Sequence, residues 1–307
     1  MADPTADRRL LLVHAHPDDE SINNGATMAR YAAEGVAVTL VTCTLGEMGE
    51  VLVPELEHLA YDRDGGLGEH RMTELATAMK ELGVTDHRFL GGPGRYHDSG
   101  MVWSETGEAA IGPDVPPGAF WLADLREAAN HLVSVIRETR PQVLVTYDDF
   151  GGYGHPDHVQ AHRVATYAVA LSAAASYRPD LGSAWDVAKV YWTGMSEARW
   201  REALRTLRAA GDLTTFEGMD PEGEFPPFIT RDEYLTAYID GANHVEAKLA
   251  AMRAHPTQIE TDGGFFALST DAGSQLWAQE FHRLVKGQSG PVDPVTGRED
   301  DLFAGLF

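Results

Sequence analysis

Apolar, β-branched runs alternate with segments of helical period over the first 195 residues, and that alternation predicts an α/β fold. The expected architecture is a Rossmann-like, mostly parallel sheet flanked by helices, with a smaller C-terminal cap or subdomain. A second observation places chemistry on it. Clusters rich in His and Asp occur twice, each where an apolar run hands over to a helix. In open α/β sheets, ligands bind at such carboxyl ends of strands.

The elements follow in order. Leu10–Val13 is an apolar run that reads as a buried strand, broken by Pro17, which can open a helix because its missing N–H costs little in a first turn. Residues 22–36 read as that helix, with Ala26, Ala29, Tyr31 and Ala32 on an inner face. Val36–Leu45 reads as a second strand, and 51–68 as a polar, Gly-rich loop. Residues 69–82 show helical spacing through Met72, Leu75, Ala76 and Met79, and 87–91 a short strand. The stretch 91–117 is dense in Gly, Pro, Asp and Ser, and at that length is functional or disordered. Residues 120–140 return to helix through Leu122, Leu125, Ala129, Leu132, Val133 and Ile136, and Pro141 ends it. A strand over 142–148, a helix over 156–175, a strand over 187–193 and a helix over 196–210 complete the pattern. Beyond Gly211 the rhythm changes, with helical signals at 242–253 and 275–285. No clear linker divides 1–195, read as the catalytic core, from 196–307, read as helices and cap packed on the same domain.

Composition narrows the function. The 307 residues carry 24 Lys and Arg against 47 Asp and Glu, a formal charge of −23. So acidic a chain argues against nucleic-acid backbones and anionic membranes as partners. Cys43 is the sole cysteine, which rules out an intramolecular disulfide, fits a reducing compartment and reads as a buried structural thiol. The first nine residues lack the apolar core of a signal peptide, and no apolar run reaches the roughly 18 residues of a membrane span. The expected location is the cytoplasm.

His16 and Asp19, three apart across a turn that opens a helix, share one side of its first turn. Imidazole plus carboxylate suits zinc or ferrous iron. A third ligand has to come from elsewhere, and Gly154-His155-Pro156-Asp157-His158 offers it at another strand end. Three protein ligands leave a fourth position for water or substrate. Asp18, between the two ligands, is placed to act on that water as general base. The competing reading of Asp18, Asp19 or Asp157 taken singly is a helix N-cap. His162, four after His158, allows an i, i+4 ligand pair by geometry. His14 reads as a supporting residue rather than a ligand. No GxGxxG follows the first strand, which argues against a dinucleotide enzyme.

The run His14-Ala-His16-Pro17-Asp18-Asp19-Glu20, together with Gly154-His155-Pro156-Asp157-His158, resembles the LmbE-like (PIG-L) family of metal-dependent N-acetylglucosamine deacetylases. Further stretches resemble the branch of that family that acts on N-acetylglucosaminyl-inositol in mycothiol biosynthesis. They are Asn24-Gly25-Ala26-Thr27, 41–47, 94–101, Tyr147-Asp148, 151–154 and 301–306. The resemblance covers nearly the whole chain and is weakest over 178–239. It implies one zinc ion per chain, with ferrous iron as the alternative, held by His16, Asp19 and His158. It implies Asp18 as base, His155 as general acid and electrostatic stabiliser, Asp157 orienting His155, and Tyr153 near the developing oxyanion. It implies that Arg71 and Asp98 hold the hydroxyls of a small amino-sugar–inositol substrate. The pattern does not use His162, and the role of Lys248–Gln258, with its His255-Pro-Thr-Gln258, does not follow from it.

Two other functions compete. A mycothiol S-conjugate amidase would carry a lysine near Ser21-Ile22-Asn23-Asn24 and a proline just before His155; this chain has neither. Asn23, beside the metal turn, offers no charge to anchor a large acyl group, although it departs from the serine expected there. A non-catalytic sugar-binding module would need neither Asp18 nor His155.

Overall fold

The computed structural model describes residues 7–105, 107–260 and 278–307. Strand β1 (Arg9–His14) lies at the middle of the main sheet, flanked in parallel by β2 (Ala37–Thr42) and β6 (Val143–Thr146). β3 (Asp86–Phe89) adds beyond β2, and β7 (Lys189–Ser196) beyond β6. Both faces of β1 are covered, which is why its sequence is continuously apolar. Successive side chains point to opposite faces. Leu11 and Val13 pack under α3 (Leu125–Thr139) and α5 (Pro156–Ala173); Leu10 and Leu12 pack under α1 (Asp19–Ala33) and α2 (Leu67–Glu81).

The order β3-β2-β1-β6-β7 makes the chain leave β1 toward one edge and later return beside it toward the other. The crevice between the carboxyl ends of β1 and β6 is therefore the topological switch point, where such sheets bind ligands. His14–Glu20 leaves β1 there, and Tyr147–His158 leaves β6 there, through the four-residue α4 (Gly151–Gly154).

The C-terminal third extends the same sheet. α6 (Glu197–Ala209) follows β7, and β8 (Ile229–Thr230) pairs with the end of β7. β9 (Ala237–Asp240) leads to α7 (Val245–Arg253), which packs on α1 and α2. β10 (Gln279–Lys286) runs antiparallel between β7 and β9. This corrects the helix expected over 275–285: residues 279–285 are strand, and 275–277 lie outside the described residues. Glu280 and His282 disguise the strand, because both are polar yet buried. Glu280 accepts from Lys248 Nζ and from the Ala26 and Thr27 amides, and His282 Nε2 meets Asn24 Nδ2 at 3.0 Å. The stretch 91–117 carries a two-residue hairpin, β4 (Val102–Trp103) with β5 (Ala109–Ala110). Leu122, expected on a helical inner face, is exposed in a turn before α3. The inner face of α2 carries Arg71 and Glu74 rather than Ala76. Among the described residues no helix is long and apolar enough to cross a membrane.

Candidate active site

Two turns meet at the crevice. On the first, Asp19 opens α1 with its Oδ2 accepting from the His16 amide at 2.9 Å. Asp18 occupies the N-cap position, but it meets the helix through its carbonyl and makes no side-chain capping bond, which leaves its carboxylate for other partners. Its backbone has φ 130°, a conformation that L residues avoid. On the second turn, Gly151 takes φ 70° close against His158, where a Cβ would stand 2.7 Å from the Val159 nitrogen. That approach brings the Gly151 carbonyl to 3.1 Å from His158 Nδ1.

The arrangement fits a metal by its donor chemistry. His158 Nδ1 donates to Gly151, and Tyr147 stacks on the ring at 4.3 Å, which leaves Nε2 buried and without a hydrogen-bond partner. That nitrogen lies 3.3 Å from Asp19 Oδ1. His16 Nε2 donates to Asp157 Oδ2 at 3.2 Å, leaving Nδ1 at 3.4 Å from Asp19 Oδ2. Tetrahedral ligands each about 2.0–2.1 Å from a zinc ion lie about 3.3–3.4 Å apart, and each imidazole nitrogen stands at that distance from its own oxygen of Asp19. Charge points the same way. Burial alone would lower the His16 pKa, but Asp98, Asp157 and Asp19 outweigh it and hold it well above the ordinary value. A cluster that draws a proton onto a buried imidazole is short of positive charge, and a divalent cation meets that demand.

His155 completes a trio of imidazoles whose nitrogens lie within 4.8 Å of one another. Its Nδ1 accepts from the Asp157 amide at 3.1 Å, which puts the ring proton on Nε2 and makes that atom a donor rather than a ligand. Burial, then the neighbouring His16 and His158, hold its pKa well below the ordinary value. Tyr153 lies against both His155 and His158, and burial among carboxylates keeps its phenol protonated well above pH 10. The Asp18 carboxyl is pushed up to about 6 by burial, with Arg71 limiting the rise.

Several expected positions differ. The Asp157 carboxylate does not reach His155; it holds His16 and accepts from Ser99, while only the Asp157 main chain meets His155. Arg71, expected at the substrate hydroxyls, lies below the surface. It is 2% exposed, with its guanidinium on the carbonyls of Gly46 and Pro17 and, at 3.1 Å, on Asp18 Oδ2. Asp98 is buried too, accepting from the amides of Met48 and Gly100 and lying 3.7 Å from His16 Nε2. Both residues bond to protein groups, while Arg71 Nε is buried without a hydrogen-bond partner. His14 bridges Tyr147 and Asn24 instead of facing the ligands, and His162 Nδ1 meets the Tyr147 carbonyl. Asn23 Nδ2 donates to the Asp19 carbonyl. Cys43 is buried, with its thiol pushed well up by burial.

Sequence reasoning missed Tyr147, Ser99, Glu47 and Trp103. Glu47 accepts from the Asp98 amide at 3.0 Å. Trp103, 62% exposed on the hairpin, stands 6.0 Å from the Tyr153 ring. Tyr147, Glu47 and Ser99 lie in stretches that carry the resemblance, though none was given a role; Trp103, on β4, had no such signal.

The sequence pattern of the PIG-L family, GlcNAc-PI de-N-acetylase, matches residues 11–169. A 1D-myo-inositol 2-acetamido-2-deoxy-alpha-D-glucopyranoside deacetylase from a Nocardioides species is 68% identical over 302 residues, 98% of this chain and 100% of the relative. One of the same name from Kribbella flavida is 66% identical over 300 residues, 98% of each chain. Among solved structures, N,N'-diacetylchitobiose deacetylase from Pyrococcus horikoshii superposes with a TM-score of 0.58 at 19% identity, covering 91% of this chain and 84% of that one. At that identity the likeness speaks for the fold.

Proposed function

The chain belongs to the PIG-L family of GlcNAc-PI de-N-acetylases, and from that premise we propose that it removes the N-acetyl group from 1D-myo-inositol 2-acetamido-2-deoxy-alpha-D-glucopyranoside. The products are acetate and the free amine. The substrate is supported by relatives of that name that match end to end. The reaction is carried by one observation: next to Asp18, the Asp19 carboxylate lies between two buried imidazoles, its Oδ2 3.4 Å from His16 Nδ1 and its Oδ1 3.3 Å from His158 Nε2.

His16 Nδ1, Asp19 and His158 Nε2 would hold the ion, and zinc suits these ligands, with ferrous iron the alternative. When bound, it supplies polarisation of an acyl oxygen and acidification of water. Asp18 takes the proton of the attacking water, its Oδ2 aimed by Arg71. His155 Nε2–H and the Tyr153 hydroxyl donate toward the acyl oxygen as it gains charge. A neutral imidazole that gave up its Nε2 proton would be left as an imidazolate. His155 therefore stabilises charge, and the general-acid step first expected of it falls to Asp18, which returns the proton to the departing amine. Asp157 keeps His16 in the tautomer that frees Nδ1. We place the enzyme in the cytoplasm, consistent with its single buried thiol.

The test is amine release by metal-defined protein from three compounds: the inositol glycoside, N-acetylglucosamine and a mycothiol S-conjugate. The inositol glycoside should give the highest kcat/KM. Fastest cleavage of the conjugate would make the protein an amidase, and no turnover of any of them would leave a binding module.

A further inference from the structure

His255 arrives at the metal turn from the C-terminal third, outside the matched residues 11–169. It sits in the turn that ends α7, where the amides of Gln258 and Ile259 both donate to its carbonyl. That turn is anchored on both sides. Thr257 donates to Glu74 of α2, its carbonyl accepts from the Leu52 amide, and Gln258 Nε2 donates to the Glu50 carbonyl. The His255 ring is fully buried, and its Nε2 lies 3.0 Å from Glu20 Oε1.

Glu20 is equally buried and spends both oxygens on the turn. Oε1 also accepts from Ser21 Oγ at 2.6 Å, and Oε2 accepts from the Asp18 amide at 2.9 Å. Asp18 is thus held at three points: its carbonyl by the Ser21 and Ile22 amides, its carboxylate by Arg71 and its amide by Glu20, the contact nearest its φ torsion. The grip matters because the Asp18 backbone stands at φ 130°. Such a conformation persists only where its surroundings over-determine it, and it clusters at sites where strain serves a mechanism. Released from Glu20, the backbone can relax toward an ordinary region and swing the carboxylate off the metal-ligand face. Asp19 and His158 are held by other contacts, through the His16 amide and the Gly151 carbonyl, so the metal set does not depend on this chain of bonds.

We propose that His255 is a positioning residue for turnover: through Glu20 it locks the Asp18 main chain in its strained conformation and so aims the base. The proposal rests on Asp18 being the base, as above. It gives the His255-Pro-Thr-Gln258 turn a function that no local reading of that segment supplies, since His255 and Glu20 are 235 positions apart.

The experiment compares full-length, metal-loaded variants by kcat, KM, metal per chain and Tm, with the inositol glycoside as substrate. His255→Phe should lower kcat about 10–10²-fold, the cost of misplacing a reacting group by about an ångström, with KM and metal per chain within about twofold. His255→Gln, whose amide can still donate to Glu20, should recover most of that loss. Leu204→Ala, a buried change in α6, which packs on β7 and β8, should lower Tm while kcat holds. If His255→Phe does not fold, Glu20→Gln takes its place with the same expected fall, and pairing it with His255→Gln should add little, since both act through one contact. A kcat within twofold of wild type, a loss of metal that parallels the loss of kcat, or a Gln variant no better than Phe would each overturn the proposal. Asp18→Asn separates the two readings: wild-type turnover there refutes the base itself, whereas its loss alongside an unaffected His255→Phe refutes only the positioning.

Discussion

The Asp157 carboxylate lies 3.2 Å from His16 Nε2, joining two turns 141 residues apart. It fixes the His16 tautomer and leaves a basic Nδ1, as the carboxylate–histidine–metal arrangement of the proposed site requires. Asp157→Ala should weaken metal binding about 10–100-fold. Competition against a chelator of known affinity measures it, and unchanged affinity would show that Ser99 and the fold alone hold the ring.

Arg71 is predicted to act on rate rather than on substrate binding. Its guanidinium meets Asp18 and the carbonyls of Gly46 and Pro17. Arg71→Gln should lower kcat on the order of 10–10²-fold with little change in KM. A rise in KM with kcat preserved would restore the hydroxyl-binding role.

His155 should behave as an oxyanion donor. His155→Ala should lose about 10²–10³-fold in kcat, the usual cost of one such donor, and His155→Gln should lose less because its amide can still donate. The pH–rate profile should keep its shape in both. Disappearance of the alkaline limb in both variants would instead mark His155 as the acid for the departing amine.

Stability toward acid should depend on His282. Burial, then the charge of Lys248, push this imidazole down to about 3. As pH falls below 6.5 the unfolded chain takes up a proton that the folded chain refuses, so unfolding becomes easier. The stability is fully present above pH 6.5 and is lost as pH falls toward 3, with a slope of up to about 1.4 kcal/mol per pH unit. Urea unfolding of His282→Gln between neutral and mildly acidic pH should show a shallower loss than wild type; equal slopes would contradict the assignment.

What the sequence disclosed was local. His16, Asp18 and Asp19 stand on one turn, and strand–turn–helix order alone puts that turn at a strand end. His155 and His158 became partners of that turn because β6 returns beside β1, which alternation of elements implies. What stayed hidden depends on distance or on polar burial. The carboxylate of Asp157 and its main chain serve different histidines, and nothing in a five-residue motif says which does which. The resemblance gave Arg71 and Asp98 to the substrate hydroxyls, and nothing local showed that both would be buried with Pro17, Gly46 and Met48 among their partners. β10 read as helix because Glu280 and His282 face inward, an exception that only Lys248, Asn24 and α1 make tolerable.

The rate of amine release by Asp18→Asn, compared with wild type at equal metal occupancy, tests the role of Asp18 most directly. Burial holds the Asp18 carboxyl near the pH range of a working base, and the metal set does not include it. The variant should keep one metal per chain and lose about 10²–10⁴-fold in kcat, as expected when a general base is removed. Release at close to the wild-type rate, with metal in place, would contradict the mechanism outright.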